Sequence, residues 1–235
     1  MMSVIIAVYT PTGIVISGDS RTTGALNGTI PNPQNPQQQI NVQTMITMSD
    51  ATLKVFKLFD KYGVGTFGDA QIDNLPIAHY IEQFEINNLA SPPQTTNDFV
   101  TELLNYFRKF SPIPQTGFIV AGYDENEPFV FGVDILNNAI QRSNFIQTQA
   151  RLDYGIVRGG DTDVIDRLLY NPQRLPIFQA MNLQDGIDFS RHLIRTTIDQ
   201  MRFEPAVPTV GGEIDTLIVT NEKIEFLYKK KLTCR

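Results

Sequence analysis

Two short apolar runs at the start of the chain predict a β-hairpin. Residues 4–9 and 14–18 are rich in β-branched side chains, and the turn between them contains a proline and a glycine. A second pair follows, with apolar and polar positions alternating over residues 54–59 and a further strand over residues 62–67. We therefore expect four strands, paired as two hairpins, in the first third of the chain.

The segment between these hairpins has a different composition. Residues 24–44 read GALNGTIPNPQNPQQQINVQT, which is rich in Pro, Asn and Gln and lacks apolar periodicity. Such a composition predicts an extended loop or a partly disordered insertion, too short to be a domain.

Helical periodicity predicts four helices in the rest of the chain. They cover residues 72–89, 97–110, 161–169 and 184–201, with Asn97 or Asp98 capping the second and Asp161 capping the third. Further strands are predicted as three successive segments between residues 116 and 146, and over residues 154–157, 215–219 and 224–228.

This order of elements favours a layered α+β fold. Helices that follow strands in this way suit two antiparallel sheets stacked face to face, with the helices outside. No internal repeat of fixed period is visible, so we expect a single domain over residues 1–235 with the insertion at about 24–44.

Composition and charge exclude several classes of partner. The chain of 235 residues carries a formal net charge of −6, which disfavours nucleic acid, and Lys229–Lys231, the only basic run, is expected to be a solvated end. No apolar stretch approaches the roughly 20 residues of a membrane span, and residues 4–8 are too short for a signal-peptide core. The single Cys234 cannot form an internal disulfide. We expect a cytoplasmic protein that binds neither nucleic acid nor membrane.

No cofactor or metal site is predicted. His79 and His192 lie on separate predicted helices without Cys, Asp or Glu at ligand spacing. The acidic residues between Asp161 and Asp166 lack the glycine and final glutamate of a calcium loop, so capping by Asp161 explains them better.

Four sequence features occur in an order that is informative about family. They are the hydroxyl residue Ser3 at the head of the first strand and the segments GIVISGDSRTTG, LKVFKLFDKYGVGTFGDAQ and FIVAGYDENEPFVFGVD. In this order they resemble proteasome β-subunits and bacterial proteasome-like peptidases. The resemblance covers most of the chain and implies that family's fold, a four-layer αββα sandwich of two antiparallel sheets flanked by helices.

The resemblance implies an N-terminal-nucleophile hydrolase. Ser3 falls at the nucleophile position, usually threonine in the family, whose own free α-amine acts as the base. Lys54 matches the lysine that lowers the pKa of this hydroxyl, and Asp19 matches the aspartate that pairs with the lysine. Gly68 matches the glycine whose N–H donates to the oxyanion, and Arg21 matches a structural arginine near the same loop.

The chain also departs from the family pattern. Met1 and Met2 precede Ser3, so a free amine on Ser3 requires their removal. Gly159 or Gly160 replaces a serine that the family has beside the nucleophile. Val207 and Val210 replace a later polar pair, in the stretch AVPTVGGEID.

The main hypothesis is a peptidase that cleaves peptide bonds through an acyl-enzyme on Ser3 and assembles with itself into a ring or stack. Its substrates are expected to be peptides or unfolded proteins; the sequence indicates neither an ATPase partner nor an oligomer size. A catalytically inactive structural subunit on the same fold is the alternative that Met1, Met2 and the missing polar partners favour. A small-amide hydrolase is a third, weaker alternative.

Overall fold

The computed structural model describes residues 3–171, 174 and 176–231, and strands and helices alternate along them. The strands are β1 (Val4–Thr10), β2 (Gly13–Gly18), β3 (Thr22–Asn32), β4 (Asn35–Ser49), β5 (Val55–Leu58), β6 (Tyr62–Gly68), β7 (Gln71–Ile72), β8 (Leu75–Pro76), β9 (Thr116–Asp124), β10 (Glu127–Asp134), β11 (Ala139–Arg142), β12 (Phe145–Ile146), β13 (Arg151–Leu152), β14 (Gly155–Gly160), β15 (Asp215–Val219) and β16 (Ile224–Tyr228). The helices are α1 (Ile77–Asn88), α2 (Thr96–Phe107), α3 (Asp163–Leu169) and α4 (Leu183–Met201).

Two five-stranded antiparallel sheets form the main part of the fold. The first sheet has the order β14-β1-β2-β15-β16, and the second has the order β11-β10-β9-β6-β5. Three separate two-stranded pairs, β3-β4, β7-β8 and β12-β13, complete the sheet structure of the described residues. The fold is therefore α+β with antiparallel sheets, as the order of predicted elements indicated.

The buried apolar side chains fall into clusters that connect these elements. One cluster contains residues of both sheets, among them Ile5, Ile16, Val55, Ile119 and Leu217. A second cluster joins α1 and α2 to the second sheet, and a third joins α3 and α4 to β1. Contacts between the two sheets are what place the end of β2 next to the start of β5, where the predicted site residues lie.

The first two helices begin at other residues than the sequence predicted. Residues 71–76 form the short pair β7-β8, because Asp73 and Asn74 adopt the left-handed conformation that a tight two-residue turn requires. Helix α1 therefore starts after Pro76 and not at residue 72. Helix α2 is capped by Thr95, whose side chain accepts from the backbone N–H of Asp98, so the prediction of Asn97 or Asp98 as the cap was wrong.

The prediction of a loop over residues 24–44 was also wrong. This segment belongs to a long hairpin in which β3 pairs with β4 from Thr22 opposite Ser49 to Asn32 opposite Asn35. The hairpin pairs with no other described strand, and its large apolar side chains Leu26 and Ile30 are exposed. Because Pro and Gly interrupt the apolar positions, the sequence carries little periodicity; cross-strand backbone hydrogen bonds define the hairpin instead.

Among the helices of the described residues, none combines the length and the apolar character that crossing a bilayer demands.

Candidate active site

A buried ion pair links the two sheets. Asp19 follows the last residue of β2, Lys54 precedes the first residue of β5, and Lys54 Nζ lies 2.7 Å from Asp19 Oδ1. The side chains of Lys54 and Asp19 are 5% and 0% exposed. The resemblance implied this ion pair, and the structure contains it, although Lys54 taken alone reads as a solvent-facing charge on an edge strand.

The Asp19 carboxylate accepts hydrogen bonds from four groups. Oδ1 accepts from Lys54 and from the backbone N–H of Val4 at 2.9 Å, and Oδ2 accepts from the backbone N–H groups of Arg21 and Gly211, each at 3.0 Å. These donors replace the water that the carboxylate loses on burial. Asp19 thereby connects β1, its own loop, Lys54 and the segment that leads to β15.

Burial weakens the basicity of Lys54. Desolvation of the ammonium lowers its pKa below the ordinary lysine value, and the charge and hydrogen bond of Asp19 counter part of this effect. Lys54 Nζ also donates to the backbone carbonyl of Arg21. Within the described residues, two of its three N–H bonds thus have acceptors, and the third remains for a ligand or for the hydroxyl of Ser3.

Ser3 is held by its backbone beside this ion pair. The residue is 5% exposed, its carbonyl oxygen accepts from the backbone N–H of Asp161 at 2.7 Å, and the next amide in the chain, that of Val4, donates to Asp19. Its hydroxyl Oγ makes no hydrogen bond to any other described residue, Lys54 included. Met1 and Met2 lie outside the described residues.

The glycines near Ser3 leave no room for side chains. Gly160 pairs with Val4 in the first sheet, and an ideal Cβ on Gly160 would stand 1.7 Å from the carbonyl oxygen of Ser3. The same position is 3.5 Å from Phe67 Cβ, and Phe67 also packs over Gly159. Gly68 is the last residue of β6 and directly follows Phe67 in the chain. It is therefore the chain neighbour of the residue whose side chain packs beside the Ser3 backbone.

Gly68 also has a backbone conformation that favours glycine. Its φ of +96° is one that residues with side chains rarely adopt, and a Cβ there would lie 2.2 Å from the carbonyl oxygen of Gln115. The sequence therefore has a structural reason for glycine at this position, whatever the role of its N–H in chemistry.

Arg21 lies at the base of the long hairpin. Its guanidinium makes two hydrogen bonds to the Asp50 carboxylate, at 2.6 and 2.9 Å, and packs over Gly211. The bond from Arg21 is the main cause that lowers the pKa of Asp50. Arg21 and Asp50 flank β3 and β4, so their pairing closes the hairpin next to Asp19.

Asp161 does not cap α3, contrary to the sequence prediction. The helix begins at Asp163 after Thr162, and no side chain caps it. Asp161 Oδ2 instead accepts from Thr209 Oγ1 at 2.5 Å, while its backbone N–H binds Ser3. Because Asp161 contacts Ser3 through its backbone, the pair Asp161–Thr209 places a carboxylate and a hydroxyl in a residue next to Ser3 and in the partner of that residue. Gly160 and Val210 are the chain neighbours of this pair.

Val207 and Val210 contribute no polar side chain to this region. Val210 is fully buried in the apolar cluster of the first sheet, and Val207 is 37% exposed. Sequence reasoning missed Thr209 because only the fold brings it to Asp161, 48 positions away.

A second buried ion pair was also missed. Lys230 Nζ pairs with Asp215 Oδ2, and the two side chains are 4% and 2% exposed. The expectation that Lys229–Lys231 are solvated is therefore wrong for Lys230. Of the ion pairs formed by the described residues, only this one and Asp19–Lys54 have both side chains less than a tenth exposed.

Two clefts of the surface differ in their relation to the residues around Ser3. One of about 260 Å³ lies beside Phe67 and is lined by residues of both sheets, including Gln141, Val157 and Arg158. A larger cleft of about 620 Å³ is lined by residues that include Lys57 and Glu85. Neither Ser3 nor any of the residues described above as its neighbours lines this cleft. Of these two clefts, only the smaller one is lined by Phe67, the side chain that packs beside the Ser3 backbone.

No three or more His, Cys, Asp or Glu side chains come together as a metal site in the part of the chain that the structure describes. His79 packs edge to face on Tyr80. Cys234 lies outside the described residues.

Comparison with known proteins does not assign this chain to a family. No model of a known protein family matches the chain, and no curated protein matches it either.

Proposed function

We propose that the protein is an N-terminal-nucleophile hydrolase of the proteasome-like type, with Ser3 as nucleophile. In this proposal the two sheets and the helices on their outer faces constitute the family's four-layer αββα sandwich. The clusters that join the sheets to each other, α1 and α2 to the second sheet, and α3 and α4 to the first support that arrangement.

The observation that carries the proposal is the sharing of one carboxylate oxygen. Asp19 Oδ1 accepts both from Lys54 Nζ and from the amide that follows Ser3. The backbone amide next to the candidate nucleophile and the side chain of the candidate lysine thus bind the same buried atom. An isolated buried charge pair would contribute little to stability, which makes a functional role the better explanation for retaining it.

The chemistry follows from this arrangement once Ser3 has a free α-amine. The amine takes the hydroxyl proton as Oγ forms a bond to the substrate carbonyl carbon, and it returns a proton to the leaving nitrogen as the amide C–N bond breaks. Water then attacks the resulting ester, giving the carboxylic acid product and restoring the Ser3 hydroxyl. In this proposal the buried Lys54 cation stabilises the alkoxide that develops on Oγ during attack.

Gly68 and the cleft beside Phe67 complete the proposed site. A backbone N–H at Gly68 is the candidate donor to the oxyanion of the tetrahedral intermediate. The cleft of about 260 Å³ is the candidate subsite for a substrate side chain. Cytoplasmic location and assembly with further copies of the chain belong to the same proposal.

A structural subunit without catalysis is the second candidate, and two observations favour it. Ser3 Oγ makes no hydrogen bond to Lys54, the cation that would stabilise its alkoxide, because among the described residues Lys54 Nζ donates to Asp19 and to the carbonyl of Arg21. The buried Val210, at a position where the family is polar, points the same way.

The experiment that decides between them uses a chain cleaved from a fusion so that it begins at Ser3. This form should hydrolyse fluorogenic peptides and become labelled by a hydroxyl-directed β-lactone, with one adduct per chain by intact mass. Ser3→Ala and the same chain with Met1–Met2 retained are the matched controls, and both should be inactive. Absence of turnover and labelling in the correctly processed, folded chain would favour the structural subunit. Turnover of small amides without peptides would favour the small-amide hydrolase.

A further inference from the structure

The second buried ion pair contacts the loop that carries Asp19. Lys230 follows β16, and Asp215 opens β15 opposite Gly18, the last residue of β2. The backbone N–H of Lys230 donates to Asp215 Oδ1 at 2.7 Å, and its Nζ binds the other carboxylate oxygen. Both oxygens of Asp215 are therefore held by one residue.

Lys230 also reaches the loop that carries Asp19. Its Nζ donates to Ser20 Oγ at 2.8 Å, and Ser20 Oγ donates in turn to the carbonyl oxygen of Glu213 at 2.6 Å. The backbone N–H of Ser20 donates to the carbonyl of Gly211, the residue whose own N–H binds Asp19. Ser20 is thus fixed by side chain and backbone at the position next to Asp19.

From this geometry we infer that Lys230 is a positioning residue of the site: with Asp215 it holds Ser20, and through Ser20 the Asp19 carboxylate, against Lys54. This inference rests on the proposed function for its catalytic consequence, although the positioning itself does not. Lys230 touches neither Ser3 nor the place of a substrate, so it acts through Asp19 and Lys54.

Electrostatics support the same connection. The groups whose charges act on Lys54 are Asp19, Asp50 and Lys230, and Asp50 is itself paired with Arg21. Asp19 and Asp50 raise the pKa of Lys54, whereas burial, the largest cause, and the Lys230 cation lower it. A lysine kept less basic in this way is better matched to proton chemistry near neutrality.

The test replaces Lys230 by Met and follows Lys54 directly. In the full chain, the ¹³Cε resonance of Lys54 is titrated by NMR, with the surface residue Lys57 as internal reference. Removing the Lys230 cation and leaving Asp215 anionic should raise the Lys54 midpoint by on the order of half a pH unit or more, a threefold change in the protonation equilibrium. Lys229→Met, which removes the same charge from an exposed neighbour, should leave the midpoint unchanged.

Two further variants keep the test decisive if Lys230→Met does not fold. Lys230→Arg retains the cation and should give a Lys54 midpoint close to that of the wild type. Ser20→Ala retains the ion pair but removes its contact with the Asp19 loop; in the chain that begins at Ser3 it should lower kcat by roughly tenfold with KM nearly constant.

The outcomes separate this inference from the proposed function. An unchanged Lys54 midpoint in folded Lys230→Met overturns the inference, even if the chain hydrolyses peptides. A shifted midpoint in a chain that shows no hydrolysis supports the coupling of Lys230 to Lys54 and removes the proposed function. An unchanged kcat in Ser20→Ala would contradict the route through Ser20.

Discussion

Two neighbouring regions of this molecule differ in their content of charged residues and in burial. The charged cluster, defined as Asp19, Lys54, Asp215 and Lys230, places four ionised side chains where almost no water reaches them. The long hairpin β3-β4 starts three residues after Asp19 and, from Thr22 to Ser49, contains no Asp, Glu, Lys, Arg or His. Charge is thus buried in the first region and absent from the second.

The difference shows what each region depends on. Both carboxylates of the charged cluster are paired with a cation and accept hydrogen bonds from the backbone. Loss of one partner therefore leaves a buried charge whose desolvation is no longer compensated. The hairpin is held by hydrogen bonds between its own two strands, and none of its described side chains between residues 26 and 44 is buried. Changes should therefore be costly in the first region and tolerated in the second.

The largest effect is expected from Lys54→Met. This change leaves Asp19 ionised, buried and without its cation, at a cost of about 3–5 kcal/mol in the free energy of unfolding. Urea denaturation followed by circular dichroism measures it. The matched control is Lys57→Met, because Lys57 pairs with the exposed Asp60 and should change stability by less than about 1 kcal/mol.

The double variant Asp19→Asn, Lys54→Met sharpens this prediction. It removes both charges together, so most of the stability lost in Lys54→Met should return, while any hydrolysis should not. A double variant as unstable as the single one would show that packing, not the unpaired charge, sets the cost.

The elements that the sequence predicted well are those whose apolar pattern is local. β1 and β2 are continuous buried runs joined by a short turn, and α4 has apolar positions at helical spacing with its own cap at Asn182. In such segments the pattern within ten or twenty residues is enough to define the element.

The misses come from contacts between distant parts of the chain. Lys230 looks like one of three equivalent lysines, and only pairing of β16 with β15, which includes an irregularity at Thr216, brings it to Asp215. Asp161 looks like a helix cap until the fold supplies Thr209. Within the site, Asp19 and Lys54 were found because the resemblance aligned them, since 35 positions separate the two residues.

A smaller but still large effect is expected from Gly160→Ala. The added Cβ would overlap the carbonyl oxygen of Ser3, and the φ of +92° disfavours alanine. We expect a loss of about 2–4 kcal/mol in the free energy of unfolding, by urea denaturation, together with loss of any Ser3 labelling. Gly28→Ala is the control in the hairpin, where the nearest atom to an added Cβ is 3.8 Å away and stability should change by less than about 0.5 kcal/mol. Equal losses in the free energy of unfolding for Gly160→Ala and Gly28→Ala would contradict the expectation that the hairpin tolerates changes that the site does not.

The smallest effect is expected from shortening the hairpin itself. Replacing residues 26–44 by Asn-Gly leaves Ala25 and Met45 as the pair that flanks a two-residue turn, and it leaves the Arg21–Asp50 bridge intact. Because no described side chain in the removed segment is buried, Tm should change by less than about 4 °C, or about 1 kcal/mol for a chain of this size. Differential scanning calorimetry at two protein concentrations measures this change. A second variant with a Gly-Ser segment of the original length separates the loss of the strands from the change in chain length. A fall in Tm of 10 °C or more in the shortened chain alone would mean that the hairpin stabilises the site from outside, and the two regions could no longer be treated as independent.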